Sequence, residues 1–456
     1  MRYRKATDQG NKDKKKIAQT GLPAGLREYH CIIVTFNRFI YPFTLITLML
    51  PGNPVTAHPQ VLPPLAIAVE RAVYRVSSID LLRGVVMIIM ALDHTRDYFH
   101  GDAMFFDPSD LERTNPILFF TRWITHFCAP VFVFLAGTGA FLSGQRRSKR
   151  ELSMFLLTRG LWMIFVEIFI SGFGWGFNIQ FPWTGLQVLW ALGISMIALA
   201  ALIHLPHKVI LTIGILIVVG HNMLDRVHVD TWWWSALHET RIYELGANRR
   251  LRFSYPVLPW IGIMALGYCL GTLYKKEVLR GVRKKWLLIF GLSMTVLFII
   301  LRGINIYGDP EPWSQQSSWS FTVLSFLSTA KYPPSLLYTL MTLGPSMIFL
   351  AFTENVSRKL TMPVIHFGRV PMFYYIVHIY LIHLLAMVAA ELSGFHWYDM
   401  ILERRTQFDP QLKGYGFSLL TTYLVWIGVV LILYPLCKWY DEYKTAYKDK
   451  WWLSYL

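Results

Sequence analysis

Ten apolar runs, each close to the length that crosses a bilayer, alternate with polar loops along this chain. They cover about 79–99, 117–142, 153–173, 185–205, 208–223, 256–274, 286–303, 335–353, 364–390 and 416–438. About 20 apolar residues in a helix cross a hydrocarbon core roughly 30 Å thick, and a helix satisfies its own backbone polar groups where water is absent. The pattern predicts an all-α polytopic membrane protein with about ten transmembrane helices in a single domain, 71–456. A further apolar stretch, 32–50, is broken by Asn37, Arg38 and Pro42 and follows a basic cluster of Lys12, Lys14, Lys15 and Lys16. Residues 1–70 read as a separate basic and apolar extension: an interfacial segment, a signal-like stretch or an over-long start. No function rests on it.

Composition sharpens this reading. Of 456 residues, 54% are hydrophobic and 16% charged, against about 25% charged in a soluble domain; mean hydropathy is +0.38. The net charge of +16 invites a nucleic-acid partner, but the basic residues sit in short loops between apolar runs. Loops 143–151 and 275–285, the pair Arg358 and Lys359, and the tail with Lys438, Lys444, Lys448 and Lys450 all fall on one side if the spans alternate. The positive-inside rule makes that side cytoplasmic, with both ends of the ten-span core there, as in a bacterial inner membrane, and removes nucleic acid as a partner. The opposite loops include the acidic 100–116, with Asp102, Asp107, Asp110 and Glu112. They also carry Trp232, Trp233, Trp234, Trp313 and Trp319, which suit an interfacial belt or a sugar platform. Arg249, Arg250 and Arg252 are an exception to the charge rule, in a long loop. Cys31, Cys128, Cys269 and Cys437 stand singly, with neither zinc spacing nor a disulfide framework.

Candidate chemistry concentrates in the first span. An ionisable group at bilayer depth costs roughly 2.5–3.5 kcal/mol on insertion scales, yet this helix holds Asp80, Arg83, Asp93, His94, Arg96 and Asp97. Eleven helical steps separate Arg83 from His94 and return to nearly the same face about 16 Å further on. Asp80, Arg83, Met87, Met90, His94 and Asp97 therefore share one stripe. His94 and Asp97, three apart, are expected to form a general base with its orienting carboxylate. Asp93 and Arg96 lie on another face, as an ion pair. In span two, Arg122 and His126 share a face, and Pro130 should kink the helix and free a carbonyl. His126 is either a satisfied core histidine or a second site residue facing His94. Glu167, mid-membrane in span three, needs a partner or a proton, with Arg159 two turns earlier. In span nine Tyr374 and His378 share a face, His378 and His383 cannot jointly hold a metal from a regular helix, and Arg369 can meet an anion such as a phosphate. Nucleotide-binding, serine-hydrolase and zinc-protease motifs are absent from the sequence.

The opening Ser78-Ile79-Asp80, with Arg83-Gly84, resembles the transmembrane acyltransferase superfamily. Arginine, ten residues, then histidine is similar to the acyltransferase-3 signature. The segments Phe127 to Phe134 and Gly185-Leu186-Gln187 resemble the heparan-α-glucosaminide N-acetyltransferase branch. The resemblance implies a protein of ten or eleven spans that takes an acetyl group from cytosolic acetyl-CoA and passes it, with a histidine's help, to a sugar amine or hydroxyl across the membrane. In the glucosaminide branch the histidine follows the first span, and loop 101–116 here has none. His94 thus carries over from the acyltransferase-3 pattern alone, with His100 and His126 as rivals. On this reading Arg83 and Arg369 meet the phosphates of the co-substrate. Asp93, Arg96, Arg122 and His100 lie on the acceptor side. A proton-coupled transporter remains a second reading, and a haem or metal protein using His94, His126, His378 and His383 a third.

Overall fold

The computed structural model describes residues 76–101, 106–246, 248–403 and 410–455. The N-terminal extension with its lysine cluster, Cys31 and Asp102 lie outside the described residues. Helix dominates, as the apolar runs predict. In chain order the helices are α1 (Ser77–Phe99), α2 (Pro116–Gly144), α3 (Lys149–Gly176), α4 (Val188–Leu202), α5 (His207–Leu224), α6 (Trp232–Leu237), α7 (Leu258–Tyr274), α8 (Arg280–Ile304), α9 (Trp319–Leu327), α10 (Leu336–Thr353), α11 (Arg358–Arg369), α12 (Pro371–Leu392) and α13 (Leu419–Ala446). Among the described residues seven of them, α2, α3, α5, α8, α10, α12 and α13, are long and apolar enough to cross a membrane, and α4 and α7 are shorter apolar helices. Helix α1 has 23 residues, but its charges keep it out of that group.

Local chemistry sets the helix starts. Asn115 accepts a hydrogen bond from the Leu118 amide ahead of Pro116 and opens α2. Ser148 and Glu151 form a reciprocal capping box at α3. Ser335 and Ser418 cap α10 and α13 through their hydroxyls.

Two sequence expectations are corrected. The ninth span is not continuous. It divides at Val370 into α11 and α12, because Pro371 has no N–H to give and disfavours a helical residue before it. The fourth span starts later than 185, because Trp183–Leu186 is a strand, β1. With β2 (Arg241–Glu244) and β3 (Arg250–Phe253) it forms a three-stranded sheet in the order β1-β3-β2, β1 parallel and β2 antiparallel to β3. Arg250 and Arg252, exceptions to the charge rule, thus belong to a strand.

Helix α1 sits inside the bundle, packed against α2, α10, α11, α12 and α13. Its approach to α11 is backbone to backbone. A Cβ on Gly84 would lie 2.0 Å from the Val364 carbonyl oxygen, and one on Gly368 1.8 Å from that of Asp80, so only glycine fits at either position. Pro130 in α2 leaves the His126 carbonyl without its helical donor, and the Tyr338 hydroxyl of α10 donates to it at 2.7 Å. Cys128, Cys269 and Cys437 are buried free thiols.

Candidate active site

A cavity of about 330 Å³ opens among α1, α2, α3, α4 and α12. Its walls are apolar, with Met87, Met90, Leu135, Met163 and Leu192 among them, and Arg83, Arg159, Arg369 and Lys444 also line it. The cations are anchored from behind. Arg83 donates to Asp80 at 3.2 Å and to the Gly368 carbonyl at 3.0 Å. Arg369 pairs with Asp441 at 3.1 Å and with Asp80 at 3.5 Å, and Asp441 also meets His366 Nδ1 at 2.8 Å. Carboxylates thus hold two guanidiniums in place beside an apolar bore. Arg83 and Arg369, expected to act together, lie on that one cavity.

Tyr375 lines the same cavity, and its ring stands edge-on to His94 with centroids 6.3 Å apart. His94 also meets Trp175 edge-on at 4.8 Å and stacks on His378 at 4.9 Å. Its Nδ1 lies 2.8 Å from His378 Nε2, and His378 Nδ1 lies 2.8 Å from the Tyr374 carbonyl oxygen. A carbonyl only accepts, so the proton of a neutral His378 is on Nδ1 and its Nε2 accepts from His94. His94 Nδ1 is then the donor, and its Nε2 carries the lone pair of a base. Among the described residues Nε2 has no hydrogen-bond partner. The side chain hydrogen-bonded to His94 is therefore His378, on α12, and not Asp97. Asp97 instead pairs with Arg96 at 2.7 Å.

The remaining candidates divide into neighbouring groups. Arg122 reaches both oxygens of Asp93 at 2.7 and 2.6 Å, and Arg96 meets Asp93 at 2.9 Å, so the Asp93–Arg96 pair extends into a three-residue cluster beyond His94. His126 lies one turn past Arg122 and tilts against Tyr338 at 5.5 Å. No hydrogen bond or ring contact joins it to His94 among the described residues. His100 is buried at the end of α1, its backbone bridged to Phe417. Glu167 sits in a wide turn of α3, Val166–Ser171, and accepts from the Leu189 amide at 2.9 Å, capping the start of α4. Both ring nitrogens of His383 lie 2.8 Å from carbonyl oxygens, those of Gly174 and Met400. Outside the spans, burial would raise the Asp107 carboxyl, but Arg122 and two bonds from Ser109 outweigh it and hold it at about 2.

Residues 75–299 match the family model described as heparan-alpha-glucosaminide N-acetyltransferase, catalytic. The chain is a relative of that catalytic domain. The match takes in Arg83, His94, His126 and Arg159 and stops inside α8, so Arg369, Tyr375 and His378 lie beyond it. No curated protein matches the chain. Kinship with this family makes the protein an acetyltransferase-type enzyme of the membrane. Sequence reasoning left His378, Tyr375, Trp175 and Arg159 out of the site. A histidine and an arginine within apolar runs were usable signals for His378 and Arg159. Nothing in the pattern separates Tyr375 or Trp175 from other membrane aromatics.

Proposed function

We propose that the protein moves an acetyl group from cytosolic acetyl-CoA to an amine or hydroxyl of a sugar at the outer membrane face, with His94 as general base. One observation carries the reading: a cavity bordered by cations and walled by apolar side chains reaches Tyr375, beside a histidine whose Nε2 lone pair is free. The charge rule assigns the Arg83 end to the cytoplasm. There Arg83, Arg159, Arg369 and Lys444 match the phosphates of the co-substrate, while the methionine- and leucine-lined bore suits its pantetheine arm. At the inner end, the acceptor nitrogen or oxygen attacks the thioester carbonyl carbon. His94 Nε2 takes the proton the acceptor loses. The carbon–sulfur bond breaks, and His94 returns that proton to the departing thiolate. Asp93, Arg96 and Arg122 border the side from which the acceptor arrives, with His100 at the end of the same helix. His126 remains the rival base.

The test is binding followed by turnover on detergent-purified protein. Acetyl-CoA at about 100 times its dissociation constant stabilises a folded protein by about 2.7 kcal/mol, so the thermal midpoint should rise with acetyl-CoA and CoA and stay still with ATP. No shift at millimolar acetyl-CoA would sink the donor assignment. Full acetyl transfer by His94→Ala would sink the base assignment and turn attention to His126.

A further inference from the structure

Apart from the cavity, three side chains from two elements converge on one point. His221 lies in the last turn of α5, Asp225 directly follows that helix, and His238 caps the end of α6. Their ligand atoms, one from each side chain, all lie within 4.8 Å of one another. His221 Nδ1 and His238 Nε2 are 3.3 Å apart, and His238 Nε2 is 3.7 Å from Asp225 Oδ1. Both rings are buried, at 2% and 3% exposure. A tetrahedral ion with bonds of about 2.0–2.1 Å holds its ligands about 3.3 Å apart, the spacing of the two imidazole nitrogens.

We infer that His221, Asp225 and His238 bind a divalent zinc-class ion. Two imidazoles and a carboxylate suit such a borderline ion, whereas calcium and magnesium prefer all-oxygen sets. The surroundings are those of a supported ligand set. Asn222 Nδ2 donates to Asp225 Oδ2 at 2.8 Å, which leaves Oδ1 as the carboxylate oxygen on the His238 side. Trp234 stacks on the His238 ring at 5.6 Å. The His221 carbonyl oxygen, 2.9 Å from His238 Nε2, is the acceptor of that nitrogen's proton without metal and a fourth donor, an oxygen, with it. Asn222 Oδ1 meanwhile accepts from the Leu336 amide at 2.9 Å and so ties the cluster to the start of α10. A bound ion would fasten α5, α6 and α10 at one face of the bundle, as a clamp separate from the acetyl-transfer site.

The experiment uses the full-length protein in detergent. After chelation, reloading with zinc and desalting, the wild type should hold close to one zinc per chain, and His221→Gln/His238→Gln less than about a tenth of that. Loading the wild type with cobalt instead should give intense visible bands of a tetrahedral site, a reading that does not depend on the variant folding. Equal zinc in wild type and variant, or only the weak spectrum of hydrated cobalt, would overturn the inference. Acetyl-CoA binding measured in the same samples tests the transfer reading separately.

Discussion

Replacing His378 with phenylalanine removes the only acceptor of the His94 Nδ1 proton among the described residues while keeping a buried ring of similar shape. His378 is fully buried, and the donor left behind on the half-buried His94 would face an apolar ring in place of its acceptor. An unpaired buried donor costs about 1–3 kcal/mol. If that cost falls on the productive ring orientation, the rate drops about 5- to 160-fold at about 1.36 kcal/mol per factor of ten. Losing the base itself, in His94→Ala, should cost about 10²–10⁴-fold. The two variants act on one unit, so the double variant should be no slower than His94→Ala alone. His378→Gln keeps an acceptor oxygen and should recover part of the loss. The assay is single-turnover acetyl transfer at saturating acetyl-CoA, with thermal midpoints recorded alongside. A His378→Phe protein within twofold of the wild-type rate would refute the orienting role, as would losses that multiply in the double variant.

Three further outcomes test other parts of the structure. Gly139 lines the cavity with no atom within 4 Å of where a Cβ would stand, so Gly139→Phe should fold with an unchanged or higher midpoint yet lose most of its acetyl-CoA-induced shift; a normal shift would place the ligand elsewhere. Asp107, held at about 2 in the folded protein against an ordinary 3.8, contributes stability that is present above pH 4 and lost as the pH falls toward 2. The midpoint difference between wild type and Asp107→Asn should therefore shrink across that window, and a constant difference would count against it. Arg283 and Glu354 are paired and almost fully buried, with Ser78 Oγ donating to Glu354 at 3.0 Å; Glu354→Leu takes the carboxylate from a buried guanidinium and should destabilise by about 3–5 kcal/mol, whereas a midpoint within one or two degrees of wild type would mean water reaches Arg283.

The apolar runs and their order were legible because bilayer thickness writes itself into run length. The same signal failed where length was not the constraint. The sheet of β1, β2 and β3 is hidden in loops, each strand only four residues long, too short to show a period. The break before Pro371 was visible as a proline inside an apolar run, but prolines also sit within the continuous helices α10 and α13, at Pro345 and Pro435. For the candidate site, helical spacing paired Asp93 with Arg96, which meet at 2.9 Å. It could not find His378, since 284 residues separate it from His94 and only tertiary packing joins them. Same-helix spacing proposed Asp97 in its place because that is the only kind of neighbour a periodicity can supply.

The joint at Val370 has a mechanical meaning. Arg369 ends α11, which is fastened to α1 by the glycine contacts at Gly84 and Gly368, whereas Tyr375 and His378 ride on α12. A single unbroken helix would have made the cation at the cavity rim and the ring behind His94 one rigid rod. On the proposed function, two rods meeting at a proline would let the rim hold a charged tail while the inner end tilts, with no turn of helix unwound.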